Sequence, residues 1–183
     1  MAMSVSRLTA WVKKVPTRMA QIPWREIAGE GFDKCAFLIK FGCATHVANK
    51  YVFGFAYVMG PSMLPTINLS GDIVLLDKMS PWIGNVKVGD VVVLQSPENP
   101  RKSVTKRVLG MEGDEITFLV DPGNEEKSKT VIVPKDHLWV QGDNIYASRD
   151  SRRFGSVPYG LVKGRVFVRV WPVDSFGFLN QKK

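Results

Sequence analysis

From Gly60 onward, turn residues alternate with short runs of β-branched and aliphatic residues, and this alternation constrains the fold more than any other feature of the sequence. Four Gly-Asp pairs recur in this region. Three of them lead directly into such runs, namely Gly71-Asp72 into Ile73–Leu76, Gly89-Asp90 into Val91–Leu94 and Gly113-Asp114 into Ile116–Val120. Because Gly and Asp favour turns whereas Val and Ile favour strands, the pattern predicts a series of strands joined by tight turns.

Further runs of the same composition predict strands at Val104–Leu109, Val131–Val133, Leu138–Gln141 and Val166–Trp171, and the strand formers Tyr51–Phe53 and Phe55–Val58 predict extended chain before Gly60. Loops rich in proline and charge separate them, notably Ser96–Lys102 and Asp121–Lys129. No helical period continues through this part of the chain. The predicted fold is therefore mainly β: one folded or barrel-like antiparallel sheet over residues 51–176, followed by a polar tail at 177–183.

The excess positive charge is concentrated at the N-terminus. The chain has 183 residues and a formal net charge of +8, and the first 25 residues contain no acid but five cations: Arg7, Lys13, Lys14, Arg18 and Arg25. Apolar residues there recur at helical spacing, at Leu8, Trp11, Val12 and Val15. Residues 1–34 are predicted to be a basic N-terminal arm, and both an amphipathic organelle-targeting segment and a solvated arm remain open.

An apolar stretch follows the arm, from Ala36 to Met59, with the length of a membrane span. Its two central lysines, Lys40 and Lys50, cost about 5–7 kcal/mol on the insertion scale, whereas the Phe, Leu, Ile and Val side chains return only about 3–5. The end of the stretch is also predicted to be extended. We therefore expect a membrane-associated helix over residues 35–50, with a spanning helix and a surface-lying helix both left open.

Metal chemistry and histidine-based catalysis have little support in the sequence. The two cysteines, Cys35 and Cys43, and the two histidines, His46 and His137, provide no metal-ligand spacing and no disulfide framework. His137 lies at a predicted strand start, where a turn or surface role is the more common one. We expect no metal and no cofactor, and any acyl-transfer chemistry needs a base other than histidine.

Lysine is the natural substitute for histidine as a base, provided that its amine is neutral, and burial lowers the pKa of a lysine. In the strand Val104–Leu109 the alternation of side chains puts Lys106 on one face with Val104 and Val108. A lysine on an apolar face is costly unless it is paired or functional. From the alternation alone, an edge strand with Lys106 pointing to solvent remains open.

The candidate nucleophile is Ser62, in the segment 59–66 of sequence Met-Gly-Pro-Ser-Met-Leu-Pro-Thr. Pro61 and Pro65 stiffen this segment, and Gly60 allows close approach of a substrate backbone. Gly60 is expected to border the approach of the substrate together with Met63 and Pro65. A second polar cluster, residues 142–155, follows the strand that ends at Gln141, and a solvated turn with local ion pairs is the alternative for that cluster.

These clusters, in this order, resemble the boxes of the signal peptidase I family and, within it, the catalytic subunits of the mitochondrial inner membrane protease. The likeness covers roughly residues 50–172. It includes Ser62–Thr66, then Gly71-Asp72, then Lys106–Val108 with Gly110–Asp114, and finally Gly142–Asn144, Ser148, Asp150–Arg152 and Phe154-Gly155. Each box alone is a weak signal, whereas the ordered set is specific.

The resemblance implies a serine endopeptidase with a Ser/Lys dyad, which removes presequences from membrane-attached precursors. Ser62 would be the nucleophile and Lys106 the general base. The supporting residues would be Ser148, which orients the lysine, and two charged pairs that brace the site, Asp143 with Arg107 and Asp150 with Arg152. One departure is Gly60, where some family members provide a hydroxyl to the oxyanion, so the second oxyanion donor is left unassigned.

The resemblance also implies partners and a location. It predicts precursor polypeptides as substrates, association with a membrane, and a heterodimer with a homologous peptidase subunit, with no nucleic-acid partner. The predicted location is the mitochondrial inner membrane with the catalytic domain facing the intermembrane space, and a plastid membrane is the alternative.

Four other functions are weighed against this one. Ser103–Lys106 fits the Ser-x-x-Lys pattern of β-lactamases, but that pattern works on a helix and here lies in a predicted strand. A self-cleaving repressor would need a DNA-binding module, which the first 50 residues do not provide. A basic β-barrel that binds nucleic acid would interleave aromatic and basic residues on one face, whereas these strands are mostly aliphatic. A non-catalytic scaffolding subunit remains the main alternative.

Overall fold

The computed structural model describes residues 24–121 and 124–179. Its helices are α1 (Trp24–Val47), α2 (Met79–Trp82) and α3 (Ser151–Phe154). Its strands are β1 (Phe53–Met59), β2 (Ser70–Asp77), β3 (Val91–Gln95), β4 (Ser103–Gly110), β5 (Glu115–Asp121), β6 (Asn124–Ile132), β7 (His137–Gln141), β8 (Val157–Pro158), β9 (Val162–Trp171) and β10 (Gly177–Phe178). The strands pair antiparallel throughout, which confirms the predicted mainly β fold with an N-terminal helix.

The chain divides into two units, residues 1–46 and residues 47–183. The described part of the first unit is helical. Helix α1 begins at Trp24, eleven residues before the predicted start at residue 35. Residues 24–34 contain good helix formers, and Glu30 and Lys34 form an i,i+4 ion pair at 3.8 Å. In the described part of the chain, no helix combines the length and the apolarity that crossing a membrane requires. The predicted targeting segment lies mostly outside the described residues.

The predicted extended run at Tyr51–Phe53 is wrong for its first two residues. A π-helical turn spans Ala48–Val52, and β1 begins only at Phe53. The preference of Tyr and Val for strands is weak compared with hydrogen bonds that continue from a preceding helix, so the helical conformation persists to Val52.

The main sheet has the strand order β1-β2-β9-β3-β4-β7-β8, and β10 adds to β9. The ten-residue strand β9 pairs with both β2 and β3, and irregularities in the register interrupt both ladders. Such irregularities bend a strand, so that the sheet can fold over two cores. The predicted strands in β2, β3, β4, β5, β7 and β9 are confirmed within a few residues at each end.

Two hydrophobic clusters occupy the interior, and β3 contributes to both. Val91 and Val93 belong to the first cluster, which also contains Met63, Ile67, Val74 and Val166. Val92 and Leu94 belong to the second cluster, with Val108, Leu138, Val140 and Val157. Because both faces of β3 are covered, its sequence is a continuous apolar run and not an alternating one. The clusters also anchor the segments that carry the candidate site.

The charged segment predicted as a loop at Asp121–Lys129 is largely a strand. β6 begins at Asn124 and pairs with β5 in a separate two-stranded sheet, and the hydroxyls of Thr117 and Thr130 are 2.9 Å apart across it. A hairpin outside the main sheet can keep charged residues in solvent, and for this reason composition alone did not reveal the strand. Val133, predicted as strand, follows the end of β6 and is buried.

The first two residues of the predicted polar tail at 177–183 form a strand. Gly177 and Phe178 form β10 on the edge of β9, and the rings of Phe178 and Phe167 meet edge to face at 5.3 Å. The ring contact and the backbone pairing stabilise this short strand at the edge of β9.

Replacement of Leu138, which is completely buried in the second cluster, tests the core assignment. Leu138→Ala is expected to lower the free energy of unfolding by about 2–5 kcal/mol, because the substitution leaves a cavity that the surrounding strands cannot fill. The matched control is Leu109→Ala, since Leu109 is 39% exposed on β4, and it should cost less than about 1 kcal/mol. Urea unfolding of the full chain in detergent measures both, and equal losses would contradict the assignment.

Candidate active site

Ser62 lies in a short 3₁₀ turn, Pro61–Met63, one residue after the end of β1. Gly60 precedes the turn with a φ of 111°, a conformation that residues with a side chain rarely adopt. Its N–H donates to the carbonyl of Leu69 at 2.8 Å, so the segment Gly60–Leu69, called the serine loop below, is closed at its base. The Ser62 side chain is half-buried, and the turn packs against β4.

The residues expected to border the approach of a substrate differ in their exposure. Gly60 is half-buried and Pro65 is exposed. The expectation needs correction for the side chain of Met63, which is 1% exposed and belongs to the first hydrophobic cluster. Together with the buried Ile67 it anchors the serine loop, because both apolar side chains are taken out of water there.

Lys106 is 3% exposed on β4, so the alternative in which it points to solvent is wrong. Its Nζ donates a hydrogen bond to Ser148 Oγ at 3.0 Å. Burial lowers the pKa of Lys106, the carboxylate of Asp150 acts in the opposite direction, and the guanidinium of Arg152 lowers the pKa further. The net shift is downward, which favours the neutral amine that a general base requires.

Asp150 connects Ser148 to Arg152 and is completely buried. Its carboxylate accepts a forked pair of hydrogen bonds from Arg152, with Nε–Oδ1 and Nη2–Oδ2 both 2.9 Å, and a further bond from the N–H of Gly142 at 3.0 Å. Burial alone would raise the pKa of Asp150, but the hydrogen bonds from Arg152, Gly142 and Ser148 together hold it below the usual range. The carboxylate is therefore ionised and can hold the Ser148 hydroxyl.

Arg107 follows Lys106 and is also buried, although the alternation of the strand turns it to the opposite face. It is satisfied there by a forked ion pair with Asp143, in which both N–O distances are 2.7 Å. Its remaining donors reach the carbonyl of Gly89 at 2.7 Å and the hydroxyl of Thr66 at 3.4 Å. Arg107 thus ties three loops to β4.

Gly142 lies between the serine loop and Ser148. A Cβ at this position would collide with the carbonyl oxygen of Ser62 and with Ser148 Oγ. The backbone N–H of Asn144 donates to the same Ser62 carbonyl at 3.0 Å. The absence of a side chain at Gly142 therefore allows the serine turn to approach the hydroxyl that holds Lys106.

Sequence reasoning did not assign this steric role to Gly142. It also did not find Arg169 on β9, which donates to Thr66 of the serine loop, or the contact of Asn68 in the loop with Asp72 on β2. A signal for Gly142 was present, because the fourth Gly-Asp pair alone does not lead into a strand run. For Arg169 no signal was available, since its contact with Thr66 joins residues 103 positions apart.

None of Ser62, Lys106 and Ser148 lines the open pocket of about 390 Å³ that the β domain contains. It is lined by Ser96, Glu98, Asn99, Lys102, Val104, Arg149 and Phe154. Val104 is on the same face of β4 as Lys106, and Arg149 follows Ser148 in the chain. Within residues 24–121 and 124–179, no group of three or more His, Cys, Asp or Glu side chains is placed to hold a metal ion.

The β domain buries a hydrogen-bonded lysine close to a serine-bearing turn. Among known families, the one described as signal peptidase, peptidase S26, matches residues 34–122 and 119–171. The chain belongs to the peptidase S26 family of signal peptidases.

Similar proteins include subunits of mitochondrial proteases. The chain is 49% identical over 157 residues to the mitochondrial ATP-independent inner membrane protease subunit 1a of Arabidopsis thaliana, covering 86% of this chain and 94% of that protein. It is 42% identical over 156 residues to the mitochondrial inner membrane protease subunit 1 of Homo sapiens, covering 85% and 92%. It is 40% identical over 144 residues to subunit 2 of Danio rerio, covering 75% and 76%.

A solved structure, that of a signal peptidase I from Enterococcus faecalis V583, is 23% identical with a TM-score of 0.38, covering 44% of this chain and 96% of that chain. The names of the mitochondrial relatives support the predicted family and the predicted keywords of protease, mitochondrion and inner membrane.

The lowered pKa of Lys106 predicts a pH-dependent stability. Because the folded state binds this proton less tightly than the unfolded chain, stability rises with pH between the folded-state pKa and the ordinary value of 10.5. Lys106→Met removes the buried amine, so it should be more stable than the wild type at mildly acidic pH, with the difference shrinking as the pH approaches 10.5.

Urea unfolding over a pH series measures this difference, with Lys135→Met as the control because Lys135 is exposed. A Lys106→Met curve that runs parallel to the wild type at all pH values would show that the amine is not destabilised by burial.

Proposed function

We propose that this chain is a membrane-associated serine endopeptidase that removes presequences from membrane-attached precursor proteins, with Ser62 as the nucleophile and Lys106 as the general base. The observation that carries the proposal is the buried amine of Lys106, held 3.0 Å from Ser148 Oγ with a lowered pKa, in the domain that presents Ser62 on a rigid turn. An exposed lysine would be protonated at neutral pH and could not accept a proton.

The chemistry follows from the neutral amine. Lys106 takes the proton of the Ser62 hydroxyl as Oγ attacks the scissile carbonyl, and the resulting ammonium gives its proton to the leaving amine when the tetrahedral intermediate collapses. A water molecule, deprotonated by the same amine, then hydrolyses the acyl-enzyme. The Ser148 hydroxyl accepts from Lys106 and donates to Asp150, which keeps the amine in one orientation through both steps.

Stabilisation of the oxyanion has to come without a side chain at Gly60. A glycine at that position provides no hydroxyl, so we assign the stabilisation to backbone N–H groups of the serine turn. Rigid backbone donors suit this role because they need no reorganisation as the negative charge develops.

Location and partners rest on the relatives. We place this chain at the mitochondrial inner membrane, with its β domain in the intermembrane space, as one peptidase subunit that works with a homologous second subunit. Relatives named as subunit 1 and as subunit 2 are both similar to this chain, and the 49% identity to a subunit 1 protein exceeds the 40% identity to a subunit 2 protein. The substrates are precursor polypeptides, and no nucleic acid is involved.

Cleavage of a membrane-anchored precursor by the full chain in lipid, with and without the homologous subunit, tests the proposal. Ser62→Ala and Lys106→Met are each expected to lower kcat/KM by a factor on the order of 10³ or more. The matched controls are Ser103→Ala and Lys163→Met, because these two residues form an exposed serine–lysine hydrogen bond of 2.9 Å on the same sheet. Both controls should cleave within about twofold of the wild type.

The pH profile adds a second criterion. Only the neutral amine can accept a proton. We therefore expect kcat/KM to be low at acidic pH and to rise as the pH increases through a pKa that lies below 10.5. Activity that persists in Lys106→Met would rule out Lys106 as the base. Absence of cleavage by the wild type, even with the second subunit present, would instead favour a non-catalytic scaffolding role.

A further variant tests the geometry around the serine turn. Gly142→Ala places a methyl group against the Ser62 carbonyl and Ser148 Oγ, so kcat should fall by about 10²-fold as the turn is pushed away. Gly160→Ala is the matched control, since a Cβ at Gly160 would have no atom within 4 Å. Equal activity of the two alanine variants, measured in the same assay, would contradict the assigned role of Gly142.

A further inference from the structure

Thr66 is held from two sides by arginines that come from different strands. Arg107 Nη2 on β4 donates to the hydroxyl of Thr66 at 3.4 Å. Arg169 Nη1 on β9 donates to the backbone carbonyl of Thr66 at 3.2 Å. Thr66 lies four residues after Ser62 in the serine loop, and Arg107 directly follows Lys106. One residue of the loop is therefore linked both to the strand that carries the base and to the long strand β9.

Arg169 is itself fixed by a network of acceptors. Its Nη1 also donates to Asp72 Oδ2 at 3.1 Å, and its Nε donates to the carbonyl of Ser175 at 2.6 Å. The guanidinium of Arg169 therefore has three acceptors, two at Nη1 and one at Nε, which fix its orientation. The donor that reaches Thr66 is thus held in place by groups outside the serine loop.

Asp72 extends the same network to the next part of the loop. It is completely buried on β2 and accepts from both the backbone N–H of Asn68, at 3.0 Å, and the side chain of Asn68, at 2.9 Å. Burial would raise the pKa of Asp72, but the hydrogen bonds from Asn68 and the charge of Arg169 lower it, so the carboxylate is ionised. Arg169 and Asp72 together grip Thr66 and Asn68.

These contacts are not needed to join the strands from which they come. β2 and β9 already pair along Ile73–Asp77, and both contribute side chains to the first hydrophobic cluster. The serine loop, by contrast, is anchored in the core through Met63 and Ile67 while Pro65, Asn68 and Leu69 are exposed. Polar contacts at Thr66 and Asn68 therefore act mainly on the loop.

We propose that Arg169 is a positioning residue for the nucleophile, which acts through Thr66 and Asp72 to hold the serine loop at a fixed distance from β4. Its consequence for catalysis rests on the proposed function. Proton transfer from Ser62 to Lys106 needs hydrogen-bond contact of about 2.6–3.2 Å, and a displacement of about 1 Å can cost about 10²-fold in rate. Arg107 contacts the same threonine from β4, the strand that carries Lys106. The serine loop is therefore bound to both β4 and β9.

A purely structural role makes a different prediction. If Arg169 served only to neutralise the buried carboxylate of Asp72, then replacing Asp72 by a neutral amide would remove the need for the arginine. The double variant Asp72→Asn/Arg169→Met tests this alternative, because it removes the charge conflict, keeps an amide oxygen that can accept from Asn68, and still lacks the Thr66 contact.

The experiment compares Arg169→Met, the double variant and the control Arg165→Met in the precursor-cleavage assay. Arg165 is on the same strand but pairs with Asp77 and Asp90, at 3.3 and 3.8 Å. Relative to the wild type, we expect kcat to fall about 10- to 100-fold in both Arg169 variants, with KM changed less than about threefold and an unshifted pH profile, since the neighbours of Lys106 are intact. Arg165→Met should keep its kcat within about twofold.

Recovery of wild-type kcat in the double variant would overturn the proposal, as would an equal loss in Arg165→Met. A second measurement does not depend on cleavage. Amide hydrogen exchange at Ile67 should be faster in both Arg169 variants and unchanged in Arg165→Met, because the Ile67 N–H is bonded within the serine loop, to the carbonyl of Met63 at 2.9 Å.

The two measurements keep the two proposals apart. If the wild type cleaves nothing with its second subunit present, the proposed function fails, and hydrogen exchange alone then decides whether Arg169 holds the loop. If the wild type cleaves but exchange in the loop is the same in all variants, the proposed role of Arg169 is wrong while the proposed function stands.

Discussion

The site depends on the burial of the Lys106 amine, which is unfavourable for the protonated form. An ammonium group in the protein interior loses its hydration, so the structure favours the neutral form and provides an acceptor, Ser148 Oγ, at 3.0 Å. Ser148 is held in turn by an ionised Asp150, whose own burial is compensated by the fork from Arg152. Each group in this chain of contacts is satisfied only because the next one is in place.

Three arginine–carboxylate pairs with little exposure surround this chain of contacts. Arg152–Asp150 shapes the turn after Ser148, Arg107–Asp143 fastens the Gly142 loop to β4, and Arg169–Asp72 holds the serine loop. Removing one member of such a pair leaves a buried charge without its partner, which typically costs 3–5 kcal/mol. The strands are rigid through their backbone pairing, so the loops acquire defined positions by being bound to them.

The strand pattern was largely predictable because it is local. Turn residues before β-branched runs located most strands of the main sheet. Predictions failed where a nonlocal or cooperative contact outweighed composition: α1 extends over residues 24–34 and into a π-helical turn, β6 forms through pairing with β5, and Gly177-Phe178 joins the edge of β9. For β6 and β10 the deciding contacts pair residues of different strands, whereas the helical segments are decided by hydrogen bonds that continue from one helical turn to the next.

By itself, the sequence restricted the conformation around Ser62, since Pro61 has a fixed φ and Gly60 can adopt the positive φ of the turn, and it determined that Lys106 shares a face with Val104 and Val108. Only the tertiary structure decided that this face is covered, that Arg107 is buried on the opposite face, and that Gly142 and Arg169 meet the serine loop. The physical reason is that the period of a strand defines two faces without saying what packs on them. That depends on strands paired across a hundred residues, and burial, which sets the pKa of Lys106, follows from the pairing.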